Sequence, residues 1–552
     1  MNVKSLACST AKNERHALIP PSGEASSLEE LLGIALSLVR RGTLTVAEKV
    51  AAQGIKASHD SARLGSIRAR IRRGEDPLGQ AYCRIKNPAA RRGAGQTFTP
   101  PEIIATMLAW ARSHRRKIIR IVDPGAGTGR YTLAALKAFP HAQAVSVELD
   151  PVIAILLRAN LETLGLSARC QVVVDDYRNL QLPTLEGSTL FIGNPPYVRH
   201  HGISSRWKGW YSAGLVAHGA SGSQLAGLHL HFFLKTCMLA CENDLGCFIT
   251  AAEWLDAGNG SALRGLLTGL LGGIAVFLAE PDLRLFDDAL ASGVITAFAP
   301  GAAANHIRFS RFASVAAARS LVGGRKVAIC AARGQTSWSS LFRKSSPKSR
   351  IDQVELGEFI RVSRGQQTGG NAVWIKNAET PELPVRFLIP TITGARDIIG
   401  APNAVINKKQ ALELVISLPL DIISLTLAER AQVDAFLRWA CELGADKTYT
   451  ATHRSPWYHV RLNAIPPIVM TYMRRGAPAF AQNKAGAPLL NIAHGLFPKV
   501  PLSACRREAL VLWLNANVDA NDGRMSAGGL IKFEPSTAMK IKVPRKLFQS
   551  VR

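Results

Sequence analysis

The stretch Thr189-Leu190-Phe191-Ile192-Gly193-Asn194-Pro195-Pro196-Tyr197 decides how this chain is read, because an apolar run stops abruptly at Asn-Pro-Pro-Tyr. A run of this kind reads as a buried strand, and the two prolines, which lack N–H groups, cannot continue its ladder. The four polar-to-aromatic residues therefore fall at a strand's carboxyl end, where open α/β sheets bind ligands. Their chemistry suits a planar amine. The Asn194 side-chain oxygen and the Pro195 carbonyl can both accept from one NH2 group, and Tyr197, fixed by its adjacency to Pro196, offers a ring face for stacking.

A second site lies upstream. Residues 118–122 form a strand candidate, followed by Asp123-Pro124-Gly125-Ala126-Gly127-Thr128-Gly129 and a helix-like run over 131–139. Glycines at such a turn let the backbone approach a ligand, and the helix N-terminus adds donors. A glycine turn alone is also an ordinary strand-helix connection. Support comes from Glu148, which ends the next apolar strand about twenty residues on, the distance expected of a ribose-binding carboxylate. A third strand, residues 171–174, ends in Asp175-Asp176-Tyr177 and places another carboxylate and a ring along the same edge.

Together these motifs resemble the S-adenosylmethionine-dependent DNA adenine-N6 methyltransferases of the gamma group, in which the donor motif precedes Asn-Pro-Pro-Tyr and target recognition follows both. Gly95-Gln96-Thr97-Phe98-Thr99-Pro100-Pro101-Glu102 resembles the family's segment that closes over the methionine part of the donor. Cys247-Phe248-Ile249-Thr250-Ala251-Ala252-Glu253-Trp254-Leu255 resembles its later core strand, with Leu263-Arg264 in the following helix. Residues 281–286 and 292–298 resemble the next two strands, whose loop carries an aromatic residue facing the flipped base, here Phe286. The alternative for Phe286 is a hydrophobic anchor in a loop. The resemblance implies a catalytic set of Asn194, Pro195, Pro196, Tyr197 and Phe286. It also implies a donor-binding set of Thr99, Asp123, Pro124, Gly125, Ala126, Gly127, Glu148, Asp176 and Tyr177, with Asp176 accepting from the donor's adenine amine.

The implied fold is α/β: a Rossmann-like class I methyltransferase core around a largely parallel seven-stranded sheet. A small helical module precedes it and an α+β target-recognition domain follows. The expected divisions are 1–92, 93–332, a linker over 333–350, and 351–552. A chain of 552 residues with 47% hydrophobic and 19% charged residues is too long for one ordinary domain. Its formal charge of +27 predicts a polyanion partner, since Lys and Arg neutralise phosphates and release counterions. Double-stranded DNA is the expected partner, with a separately encoded cognate restriction endonuclease as a second.

Nine cysteines without a CxxC pair read as buried or free thiols, which fits a reducing cytosol and requires no metal. The first twenty residues lack a signal peptide's apolar region, and the most apolar stretch, 266–279, is short of the roughly twenty residues of a membrane span. The expectation is a cytoplasmic protein with no membrane partner. Before the core, residues 28–39, 45–52 and 58–73 have helical spacing. The third carries Arg63, Arg68, Arg70, Arg72 and Arg73. Three short helices with a basic last one suggest a helix-turn-helix or winged-helix module, or alternatively a helical cap with a solvated basic face. Beyond the linker, residues 365–371, Arg454-Ser455-Pro456-Trp457-Tyr458, Gln482-Asn483-Lys484, Leu514-Asn515 and Lys532-Phe533-Glu534-Pro535 resemble recognition-domain loops. Polar and aromatic loops of this kind suit phosphate and base-edge contacts. Two other readings share the motifs: a glutamine-N5 protein methyltransferase, whose substrate is also a planar amide, and a catalytically idle DNA-binding protein with a degenerate methyltransferase core.

Overall fold

The computed structural model describes residues 25–86, 99–280, 283, 285, 293–302, 305–342, 352–462, 465–525 and 530–548. Its centre is one sheet made of β1 (Ile118–Pro124), β2 (Gln143–Glu148), β3 (Cys170–Val174), β4 (Ser188–Gly193), β5 (Leu245–Ala251), β6 (Gly273–Ala279), β7 (Gly293–Phe298), β8 (His306–Phe312) and β9 (Arg325–Ala328). The spatial order is β3-β2-β1-β4-β5-β7-β6-β8-β9. Strands β3 to β5 are parallel along this order, and β7 runs antiparallel between β5 and β6. The sheet carries nine strands rather than the expected seven: β8 adds parallel to β6, and β9 closes the edge antiparallel.

Strand order reverses between β1 and β4, whose registers pair Ile121 with Leu190 and Val122 with Phe191. Connections leave in opposite directions from such a pair, so a crevice opens beyond their carboxyl ends. The glycine turn leaves β1 there, and Asn194 follows β4. Every residue of β4 and β5 is buried, as expected of parallel strands covered on both faces. Alternation divides their side chains. Ile121, Leu190 and Ile192 pack under helix Pro101–Ser113 through Ile103, Met107 and Trp110, while Val122, Phe191 and Phe248 meet Phe233 and Leu263 on the other face. The apolar stretch 266–279 divides into the end of helix Ser261–Leu267 and β6, turned at Gly272. That glycine has φ +60°, and a Cβ there would lie 2.4 Å from the Ala299 carbonyl oxygen. No helix among the described residues is long and apolar enough to cross a membrane.

The N-terminal helices Leu28–Leu38, Val46–Ala51, Ser61–Arg72 and Pro77–Ile85 cover helix Pro151–Thr163. That helix starts at an Asp150 cap with Pro151 in its first turn, and it is apolar nearly all round, the pattern of a buried helix. Its Ile153, Ile155, Leu156 and Ala159 share a core with Leu31, Ile34, Leu64, Ile67 and Tyr82. No strand precedes β1 among the described residues, so no wing stands among them. The basic helix is also largely spent internally: Arg63 pairs with Glu30 at 2.6 Å, and Arg70 and Arg73 with Glu75 at 2.7 and 3.0 Å. This is the cap arrangement.

The expected linker is a correction in its first part. Trp338 is fully buried against Trp254 and Phe309, and the buried Asp256 accepts from Ser337 Oγ (2.6 Å), Ser339 N (3.0 Å) and Ser339 Oγ (2.6 Å). Residues 333–342 are thus pinned to the core, and 343–350 lie outside the described residues. A second sheet follows, in the order Ile360–Arg364, Ala493–Pro498, Ile468–Thr471, Phe480–Asn483 and Val405–Ile406, with helices Leu427–Glu442 and Ala504–Asn517. Its hydrophobic interior is continuous with the first: one cluster runs from Phe248 and Trp338 through Val354 and Ile360 to Leu496, Leu514 and Val543.

Candidate active site

At the β1/β4 crevice lies a cavity of about 480 Å³. The turn after β1 forms its floor. Gly125 and Gly127 take φ of +73° and +57°, which favours glycine, and a Cβ on Gly125 would stand 3.6 Å from Pro196 Cδ and 3.8 Å from Phe232 Cε1. The turn is held to β2: Gly125 N and Ala126 N donate to the Val147 carbonyl at 2.9 and 2.8 Å, and Gly127 N to Glu148 Oε2 at 2.8 Å. The other Glu148 oxygen accepts from Asp150 N at 3.0 Å. Burial raises the Glu148 carboxyl above the ordinary glutamate range, with those two N–H groups opposing it. Glu148 is still part of the cavity lining.

Asp123, expected among the donor ligands, does not line the cavity. It is fully buried beneath the turn, where its Oδ2 accepts from Thr132 N (3.0 Å) and Thr132 Oγ1 (2.7 Å). Burial pushes its carboxyl up to about 7, the Thr132 bonds working against the shift and the Glu148 charge adding to it. Asp123 is a brace for the turn. Pro124, Pro195 and Tyr197 also stand outside the cavity lining, whereas Thr99, Ala126, Asp176, Tyr177, Asn194 and Pro196 belong to it. Phe286 lies outside the described residues.

The Asn194 amide is oriented by Thr99, whose Oγ1 accepts from Asn194 Nδ2 at 3.1 Å and from the Tyr131 hydroxyl at 3.2 Å. With its nitrogen end donating there, the amide presents its oxygen as acceptor. Tyr197 packs on the sheet's aliphatic core, and burial pushes its phenol well up while a hydrogen bond with Asn194 opposes the shift. Asp176 is engaged differently from expectation. Arg178 donates to it from Nε (2.9 Å) and Nη2 (2.5 Å), so Arg178 offsets the effect of burial and holds the carboxyl below its ordinary value. The Arg178 guanidinium in turn lies 3.8 Å from the Trp207 ring centroid.

Sequence reasoning missed Arg178, Trp207 and Phe232, which complete the wall. The one available signal was the aromatic and basic run Arg206-Trp207-Lys208-Gly209-Trp210 just past Tyr197. It also missed Asp76 of the N-terminal cap. Asp76 Oδ1 accepts from Gly79 N at 2.9 Å, and its Oδ2 accepts from Thr128 Oγ1 and Arg130 Nε, both at 2.7 Å, immediately after the glycine turn. In the C-terminal region, several expected recognition residues are structural. Asn483 bonds the Pro466 and Ala487 backbone, Asn515 the Phe480 backbone, and Arg454 the Gln367 and Thr368 carbonyls, while Lys484 is exposed.

A sheet of this order, with β7 antiparallel between β5 and β6 and a glycine cradle at the switch point, is that of the class I methyltransferases. The cradle that a Cβ would fill and the carboxylate beside it fit S-adenosylmethionine. The chain belongs to the Type II restriction-modification methyltransferases: it is 42% identical to the Type II methyltransferase M.XamI of Xanthomonas campestris pv. amaranthicola over 94% of this chain and 98% of that one. Type II methyltransferase M.AccI of Acinetobacter calcoaceticus is 20% identical over 82% of this chain and 85% of its own. The Eco57I restriction-modification methylase model matches residues 186–272, and the C-terminal domain model of Type II methyltransferase M.Eco57I matches 348–552. Among solved structures, the Type IIL restriction-modification enzyme MmeI in complex with DNA shares the fold at TM-score 0.56 and 11% identity, over 93% of this chain and 79% of that one. The chain is thus a methyltransferase that uses S-adenosylmethionine.

Proposed function

We propose that this enzyme binds duplex DNA and methylates N6 of an adenine turned out of the helix, marking sites for a separately encoded restriction endonuclease. The observation that carries the reading is the Asn194 amide, locked by Thr99 at the end of β4 and beside the glycine cradle. Bound donor supplies an electrophilic methyl group. The glycine turn and Glu148 hold the donor's nucleoside and ribose. An exocyclic amine is a poor nucleophile because its lone pair is delocalised into the ring, and in a duplex it is also paired, so the base must leave the stack. The Asn194 oxygen and Pro195 carbonyl accept the amine's two hydrogens and draw it toward tetrahedral geometry. They also stabilise positive charge developing on nitrogen. Orientation supplies the rest of the rate, without a strong base before attack. Tyr197 and Phe286 are proposed to hold the base by stacking.

The test is transfer of labelled methyl from donor to plasmid DNA, followed by nucleoside analysis. N6-methyladenine is the expected product, lost in Asn194→Ala with donor binding retained. Label on cytosine would overturn the adenine reading, and label on protein glutamine would favour the amide-methylating alternative.

A further inference from the structure

Beside the donor cavity lies a second cleft of about 470 Å³, divided from it by Arg178 and Trp207, which border both. Its walls come from the turn after β3 and from helices Ser205–Ala217 and Leu228–Leu239. Three cationic side chains border it: Arg178, Arg206 and Lys235. Arg178 is satisfied by Asp176. The other two have no hydrogen bond or ion pair with any described residue, and Arg206 only stands 5.3 Å from the Trp207 ring.

Lys235 is the telling residue, because it is only 5% exposed. Its long aliphatic stem is buried and its ammonium opens into the cleft, the usual way a lysine brings its charge to a polar space. Burial alone holds its ammonium below the ordinary lysine value. The two helices offer no counter-charge, since residues 195–240 contain Arg199, Arg206, Lys208 and Lys235 but no Asp or Glu. In the turn after β3, Asp176 is taken by Arg178, while Asp175 accepts from Asp176 N and Asn179 Nδ2. The missing partner is an anion from outside. The arginine fork of Arg206, the amide of Gln181 and a point charge at Lys235 together match the several acceptor oxygens of a phosphate.

We propose that this cleft is a phosphate seat, filled by a backbone phosphodiester of bound DNA. The DNA source rests on the function proposed above, whereas the phosphate chemistry does not. The test is duplex binding by the full-length protein and its Lys235→Gln and Arg206→Gln variants at several salt concentrations. Each variant should lower the slope of log K against log salt by about 0.9, the value for one lost phosphate contact, and weaken binding several-fold at low salt. Donor binding should not change, since neither side chain borders the donor cavity. Thermal unfolding identifies a misfolded Lys235→Gln protein, in which case Arg206→Gln decides. A second arm titrates inorganic pyrophosphate. Unchanged slopes with pyrophosphate binding that both variants lose would assign the seat to a free phosphate and overturn the DNA source. Unchanged slopes with no pyrophosphate binding would overturn the seat itself. Wild-type protein that fails to bind DNA at all would sink the DNA reading while the pyrophosphate arm still decides the seat.

Discussion

Thr99 controls Asn194 through one hydroxyl, and that makes its removal informative. Thr99→Val keeps the shape but leaves the amide without its anchor, a loss of about 1–2 kcal/mol. Turnover should fall roughly tenfold with donor affinity little changed, and Thr99→Ser should restore it. Glu148→Ala should weaken donor binding by about 1.5–3 kcal/mol in calorimetry, because it removes charge-assisted acceptors. An unchanged dissociation constant would leave Glu148 as a brace for Gly127 alone. Asp123 predicts a pH dependence. Its carboxyl is raised from 3.8 to about 7 by burial, so the folded chain holds this proton more tightly than the unfolded chain. The stabilisation is complete below pH 4 and is lost as pH climbs through 7. Relative to Asp123→Asn, the wild type should lose on the order of 4 kcal/mol of stability between pH 4 and 8, measured by denaturant titration. Parallel profiles for the two proteins would contradict it. At this scale the sequence was most legible where chemistry is local. Asn194, Gly125, Gly127 and Glu148 follow strands that their own apolar runs announce. That Asp176 is paired was not legible, because its partner, Arg178, reaches it only in the geometry of the turn after β3. Trp207 and Phe232 come from separate helices and meet only after folding.

Elements were legible wherever periodicity was long, and left open where a face had to be given a neighbour. The N-terminal helices show the limit. Amphipathic spacing located them, but it cannot say whether the apolar face meets another helix of a small module or, as here, helix Pro151–Thr163 of the large sheet. Their arginines looked available because Glu30 and Glu75 are brought to them by folding. The segment 333–342 failed for the opposite reason. Its serines looked like a solvated linker, yet Ser337 and Ser339 saturate Asp256, so that Trp338 seats between Trp254 and Phe309. Asp256→Ala should destabilise the protein by about 3 kcal/mol, since it leaves a set of buried donors unmet. Red-shifted tryptophan emission and new protease cleavage near 338 are the expected signs, and an unchanged unfolding midpoint would argue against the pin.

For the whole molecule, two sheets share one hydrophobic interior. The extra strands β8 and β9 make this possible, because Phe309 and Val327 extend the catalytic sheet's core to Trp338 and on toward Val354 and Leu356. A chain ended at 350 should therefore aggregate or unfold at lower temperature rather than behave as an independent donor-binding core. A soluble, cooperatively folding truncation would show that the halves are separable. The extent of this shared interior was not legible, since a sequence reveals apolar faces but not which distant faces meet. At the opposite end, Asp76 ties the cap to Thr128 and Arg130, on the very loop that cradles the donor. A ligand that steadies that loop must also steady whatever is fastened to it. Donor at about a hundred times its dissociation constant adds about 2.7 kcal/mol to the folded state, and the fastening extends a share of this protection to helices that never touch the donor. The cap's amides should thus exchange with solvent more slowly when donor is present. In Asp76→Ala that shielding should fade while the helices themselves persist.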